Sequence, residues 1–121
     1  MKLTSKQQDV KKTIEQFAEI FEVDPVWASA VAMTESSLGI HQLSPTGCKG
    51  VFQMSMVAMK DLWILMQESD DELVDCSCGT GFLRLLLRRH KFIEAATKRY
   101  CAPKDRGFYW DRVRHYMKEL G

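Results

Sequence analysis

Apolar residues recur at intervals of three and four along almost the whole of this chain, and that spacing marks one face of an α-helix. Val10, Ile14, Phe17 and Phe21 make a first stripe, Phe82, Leu83, Leu86 and Leu87 another, and Tyr109, Val113, Tyr116 and Leu120 a last one. Alternation with a period of two never lasts more than a few residues, and there is no internal repeat. The expected fold class is therefore mainly α, with about six helices.

Local signals divide these stripes. Thr4 or Ser5 suits the N-cap of the first helix. Asp24-Pro25 starts a second, an acid followed by a proline whose missing N–H costs nothing at the first helical position. That helix carries Val26, Trp27, Ala30, Val31 and Met33, and Gly39 is expected to end it. Residues 40–50 combine Ser44-Pro45 with Gly47 and Gly50 and read as a loop. Ser55 is the expected cap of a helix bearing Met56, Met59, Leu62, Trp63 and Met66, and Asp75 the cap of the next. A turn near His90 leads to a helix with Phe92, Ile93, Ala96 and Tyr100, and residues 103–107 read as a second loop before the final helix.

With 121 residues the chain is long enough for one domain with its own core. Its apolar runs, such as Leu85-Leu86-Leu87, fall far short of the roughly 18 to 20 residues that span a bilayer. Residues 1–9 are polar where a secretory signal would be apolar, so a soluble protein made in a cytosol, without an export signal, is expected. Charge is unevenly spread: residues 1–81 hold 6 Lys/Arg and 12 Asp/Glu, whereas residues 82–121 hold 11 and 4. The basic part is either an ordinary solvated face or a contact surface for an anionic partner. Cys48, Cys76, Cys78 and Cys101 lack zinc-ligand spacing, and free thiols are the default in a reducing compartment.

Glu35 is the residue most suggestive of chemistry. It follows the apolar run Ala30-Val31-Ala32-Met33 near the end of its helix, where both the helix dipole and apolar surroundings favour a protonated carboxyl. A raised pKa suits a general acid; an ordinary exposed glutamate is the alternative.

The segment Met33-Thr34-Glu35-Ser36-Ser37, followed by residues 44–54, Ser-Pro-Thr-Gly-Cys-Lys-Gly-Val-Phe-Gln-Met, resembles the active-site signature of the soluble lytic transglycosylases. In that lysozyme-like family a catalytic Glu-Ser precedes a Ser-Pro-x-Gly-x-x-Gly loop and an apolar pair ending in Gln. Asp75 to Leu83 is similar to the family's Asn-Ile-x-x-Gly-x-x-Tyr-Leu helix start, Glu94 to Pro103 to its Ala-Tyr-Asn-x-Gly-Pro motif, and Tyr109 to Val113 to the Tyr-x-x-x-Val opening of its last helix. The resemblance covers about residues 20–120 and implies a single lysozyme-like domain over residues 1–121. Cys101 departs from the usual Asn, Cys48 from the usual Ala, and the glycine before Pro103 is absent, so the loop after Tyr100 is expected to differ. A Cys48–Cys101 bridge is the alternative to free thiols.

The resemblance implies peptidoglycan as substrate, no cofactor and no metal. Glu35 would protonate the oxygen leaving N-acetylmuramic acid, then act as base on the muramic 6-hydroxyl to give a 1,6-anhydro product. Ser44 and Gln53 would hydrogen-bond sugar and N-acetyl groups, and Gly50 would let backbone approach the glycan. Tyr100 would orient Glu35 or the sugar, and Phe52 would line the cleft or join the core. Ser36 would contact substrate or merely finish its helix. The usual glycosidase has two carboxylates; Asp61 and Asp75 are the nearest candidates for a second, and surface or cap positions are their alternative. His41 reads as a surface residue. A goose-type muramidase and a non-catalytic glycan-binding or virion structural protein are the rival readings. No nucleic-acid partner or membrane insertion is expected. The absence of an export signal points to a bacteriophage enzyme, carried in the virion with tail proteins as neighbours or released by a holin into the cell wall; a cytosolic bacterial protein exported by a dedicated machine is the alternative.

Overall fold

The computed structural model describes residues 1–42, 50–53, 72–101 and 103–121. These form five α-helices: α1 (Ser5–Phe21), α2 (Pro25–Ser36), α3 (Glu72–His90), α4 (Ile93–Tyr100) and α5 (Arg106–Leu120), with a 3₁₀ turn at Pro103–Asp105 before the last. No strand occurs among the described residues. The expected helix over Met56–Met66, its cap Ser55, and Ser44, Cys48 and Asp61 all lie outside the described residues.

The first two helix starts follow their sequence signals. Thr4 caps α1: its hydroxyl accepts from the Gln7 backbone N–H at 3.1 Å, and the Gln7 side chain accepts from the Thr4 N–H at 2.9 Å. Asp24 caps α2 by accepting from the N–H groups of Val26 and Trp27 at 2.9 and 3.3 Å, with Pro25 in the first turn.

Every residue of α2 from Trp27 to Met33 is buried, so this helix lies inside the fold rather than on it. It packs between α1 and α5, while α1 also packs on α3 and α4 joins α3 to α5. The Trp27 indole N–H donates to the Thr97 hydroxyl at 2.7 Å, and that hydroxyl donates in turn to the Ile93 carbonyl at 2.7 Å. A buried polar relay thus fastens α2 to α4 across 70 positions of sequence.

Several expected boundaries shift: Phe92, expected within the helix that ends at Tyr100, is its exposed N-cap, and α5 begins at Arg106, inside the expected loop over 103–107. The second helix ends at Ser36, and Ser37, Leu38 and Gly39 take φ values of 52°, 53° and 87°, turning the chain back over the helix end. The Ser37 and Leu38 N–H groups donate to the carbonyls of Met33 and Ala32, closing the last turn while Leu38 enters the core. Asp75 lies inside the first turn of α3 rather than capping it, a position that the helix dipole favours equally for an acid. No helix among the described residues is long and apolar enough to cross a membrane.

Thr97→Val keeps the shape of the side chain but strands the Trp27 N–H in the core. It should lower stability by about 1–3 kcal/mol in denaturant titration, whereas Thr97→Ser, which retains the hydroxyl, should cost less.

Candidate active site

Glu35 is the penultimate residue of α2, partly buried where the helix emerges from the core. Loss of water raises its carboxyl from 4.5 to about 7, and the hydrogen bond it receives from the Tyr109 hydroxyl, 2.6 Å from Oε2, opposes that rise. Tyr109 stands in the first turns of α5 and is buried. Burial and the adjacent Glu35 push its phenol well above the usual value, so it stays protonated and remains a donor. The carboxyl is thereby set where it exchanges a proton near neutral pH.

Tyr100, at the end of α4, stands behind this pair. Its ring lies nearly parallel to that of Tyr109, with centroids 6.3 Å apart and planes at 14°, and meets the Phe82 ring edge-on at 5.7 Å. Its hydroxyl donates to the Phe52 carbonyl at 2.5 Å. The orienting bond on Glu35 expected of Tyr100 is therefore made by Tyr109, and Tyr100 fastens the 50–53 segment to α4. Sequence reasoning missed this role of Tyr109, treating the residue as part of an apolar stripe. The available signal was chemical: a tyrosine on a buried stripe needs a partner for its hydroxyl.

The 50–53 segment is a tight turn locked from three sides. The Ser36 hydroxyl lies 2.5 Å from the Val51 carbonyl and accepts the Gly39 N–H at 2.9 Å, which binds the turn to the end of α2. Gly50 has φ of 89°, and a Cβ there would stand 2.6 Å from an Asp75 carboxylate oxygen, so only glycine fits against α3. Phe52 is wholly buried, and a Cβ on Gly79 would meet its ring at 2.2 Å, so α3 reaches this ring through a residue with no side chain. Gln53, at φ of 49°, donates through its side-chain amide to the Gln42 and Gly50 carbonyls at 2.9 and 2.8 Å.

The expected site residues accordingly separate. Glu35 stays partly exposed with Tyr109 beside it, whereas Ser36, Phe52 and Tyr100 bond or pack within the fold, and the Gln53 amide nitrogen donates to the Gln42 and Gly50 carbonyls. Gly50 serves a close approach by the Asp75 carboxylate. Asp75 itself is buried beneath Gly50. His41 is exposed, and its backbone N–H donates to the Ser36 carbonyl.

Cys101 follows Tyr100 and is a free thiol, its Sγ 3.7 Å from the Lys98 carbonyl. Burial raises its pKa, Asp105 and Glu35 add to the rise, and a backbone hydrogen bond and Arg106 oppose it, so the thiol stays protonated at neutral pH. Among the described residues no three His, Cys, Asp or Glu side chains gather as a metal site. No family model, curated protein or solved structure matches this chain.

Two tyrosine variants distinguish these positions. Tyr109→Phe removes the bond that holds the Glu35 pKa down, so the carboxyl should titrate above about 7 in a ¹³C NMR experiment; an unmoved or lower value would contradict the assignment. Tyr100→Phe should leave that titration in place and lower stability by about 1 kcal/mol through the loss of one hydrogen bond.

Proposed function

We propose that this chain is a peptidoglycan lytic transglycosylase built on a lysozyme-like helical domain. The observation that carries the reading is a carboxyl with a pKa of about 7 at the end of a buried helix, held by one phenol donor. It coincides with the one residue that the transglycosylase-like signature nominates as catalytic. The substrate is the β-1,4 link from N-acetylmuramic acid to N-acetylglucosamine, and the proposed setting is a bacteriophage enzyme acting on the wall.

Chemistry follows from a single acid. As the bond from C1 to the bridging oxygen breaks, Glu35 gives its proton to that oxygen and the N-acetylglucosamine product leaves. The Glu35 carboxylate, still bonded to the Tyr109 hydroxyl, then removes the proton of the muramic 6-hydroxyl. The O6 atom bonds to C1, the 1,6-anhydro ring closes, and Glu35 ends protonated as it began. No water is consumed. The two-carboxylate scheme would need a second acid across the bond, and Asp75, buried against Gly50, is not suited to supply it. A muramidase would use the same Glu35 with water in place of the 6-hydroxyl.

Glu35→Gln should leave a folded protein whose clearing of purified walls falls at least about a hundredfold. Full activity in that variant would remove Glu35 from the reaction. The same substitution has a consequence for stability. The folded chain holds the Glu35 proton to about pH 7, whereas an unfolded chain releases it near 4.5. The stabilisation from that proton is complete below about pH 4.5 and is lost as pH rises through 7. Glu35→Gln titrates no proton, so its stability relative to the parent should rise across that window by on the order of 2 kcal/mol, partial exposure limiting the effect. Thermal unfolding at pH 4 and pH 8 measures the change; a gap independent of pH would contradict the raised pKa.

A further inference from the structure

The turn between α3 and α4 presents features that the candidate active site does not use. Arg88, Arg89 and His90 form the last turn of α3, Lys91 follows with φ of 68°, and Phe92 stands 72% exposed at the N-cap of α4. Leu85, one turn earlier on α3, is 41% exposed. Residues 84–99 carry six Lys/Arg and one acid, Glu94, which Lys98 engages at 3.2 Å. Arg84 leans back toward the Glu22 carbonyl at 3.5 Å, while Arg88, Arg89, Lys91 and Arg99 enter no ion pair among the described residues.

Part of this pattern serves the fold. Cations in a last helical turn offset the partial negative charge of its carbonyls, and the left-handed Lys91 closes the helix. Phe92 has no such explanation. Ser, Thr, Asp and Asn are favoured at an N-cap because their side chains accept the first backbone N–H groups. Phe92 makes no capping bond, and its ring is left in water. The position forgoes a cap and exposes a large apolar surface at once.

An exposed leucine and an exposed ring, interspersed over residues 85–92 with cations that enter no ion pair among the described residues, fit a surface that is anionic outside and apolar just beneath. A bilayer with acidic phospholipids has that layering. A hydrated polyanion would match the cations, and a nucleic-acid base would stack on the ring, but neither offers Leu85 an apolar layer. We propose that the α3–α4 turn is a peripheral docking surface for anionic phospholipid membranes, with Phe92 and Leu85 entering the interface and Arg88, Arg89 and Lys91 meeting headgroup phosphates. This surface is independent of the reaction assigned to Glu35.

Co-sedimentation of the full chain with phosphatidylcholine vesicles, with and without phosphatidylglycerol, tests the proposal. Binding is expected on the mixed vesicles alone and should weaken as salt is added. Each cation contributes roughly a fivefold gain in affinity near an anionic surface, so the double change Arg88→Ala, Arg89→Ala should weaken binding about 25-fold. Phe92→Ser installs a favoured N-cap, keeps the helical circular dichroism and should weaken binding by at least about tenfold through lost apolar burial. No sedimentation with mixed vesicles, equal sedimentation with neutral ones, or binding unaltered by Phe92→Ser would overturn the proposal. Retention on DNA or polyphosphate with vesicles ignored would overturn it too and would assign the cations to a soluble polyanion.

Discussion

The hydrogen bond from the Tyr109 hydroxyl to Glu35 joins α5 to the end of the most buried helix, and the character of the site depends on it. Burial alone would drive the carboxyl higher still. Full exposure would leave it ionised. A phenol whose own pKa is pushed far up stabilises the anion without ever surrendering its proton, and the two effects meet at about 7. The fold makes this balance possible because α2 is buried on every side from Trp27 to Met33, so that its last turn emerges from the core.

The 50–53 turn is the second constraint. Ser36, Tyr100 and Gly79 grip it from α2, α4 and α3, and Gly50 lets the Asp75 carboxylate come against the backbone. Three helices that carry or flank the site are therefore referenced to one short segment. A side chain added at Gly50 or Gly79 would separate those elements, because the atoms in its way are a buried carboxylate and a buried ring rather than mobile side-chain ends.

Capping chemistry made the first two helix starts legible in the sequence, because Thr4 and Asp24 satisfy backbone donors within three residues and no tertiary knowledge is needed. The position of Glu35 after an apolar run was equally local. What was not legible depended on distant partners. Tyr100 and Tyr109 are both tyrosines on helices, and only the packing of α4 against α5 decides which hydroxyl reaches Glu35 and which reaches Phe52. Asp75 suits a cap or a first turn equally well, and Gly39 suits a helix end that Ser37 and Leu38 reach before it. Ser36 and Gln53 carry polar groups that a glycan would satisfy, but backbone carbonyls brought close by folding take their protons first.

The central proposal is that Glu35 alone gives a proton to the glycosidic oxygen and then recovers one from the muramic 6-hydroxyl. Mass spectrometry of purified peptidoglycan digested by the chain reads this outcome directly. Fragments ending in 1,6-anhydromuramic acid, about 18 mass units lighter than their hydrolysed counterparts, are the expected result, since ring closure uses the substrate's own hydroxyl where hydrolysis adds a water. Reducing ends would replace the transglycosylase with a muramidase using the same acid. Intact glycan strands would contradict the catalytic account of Glu35 altogether.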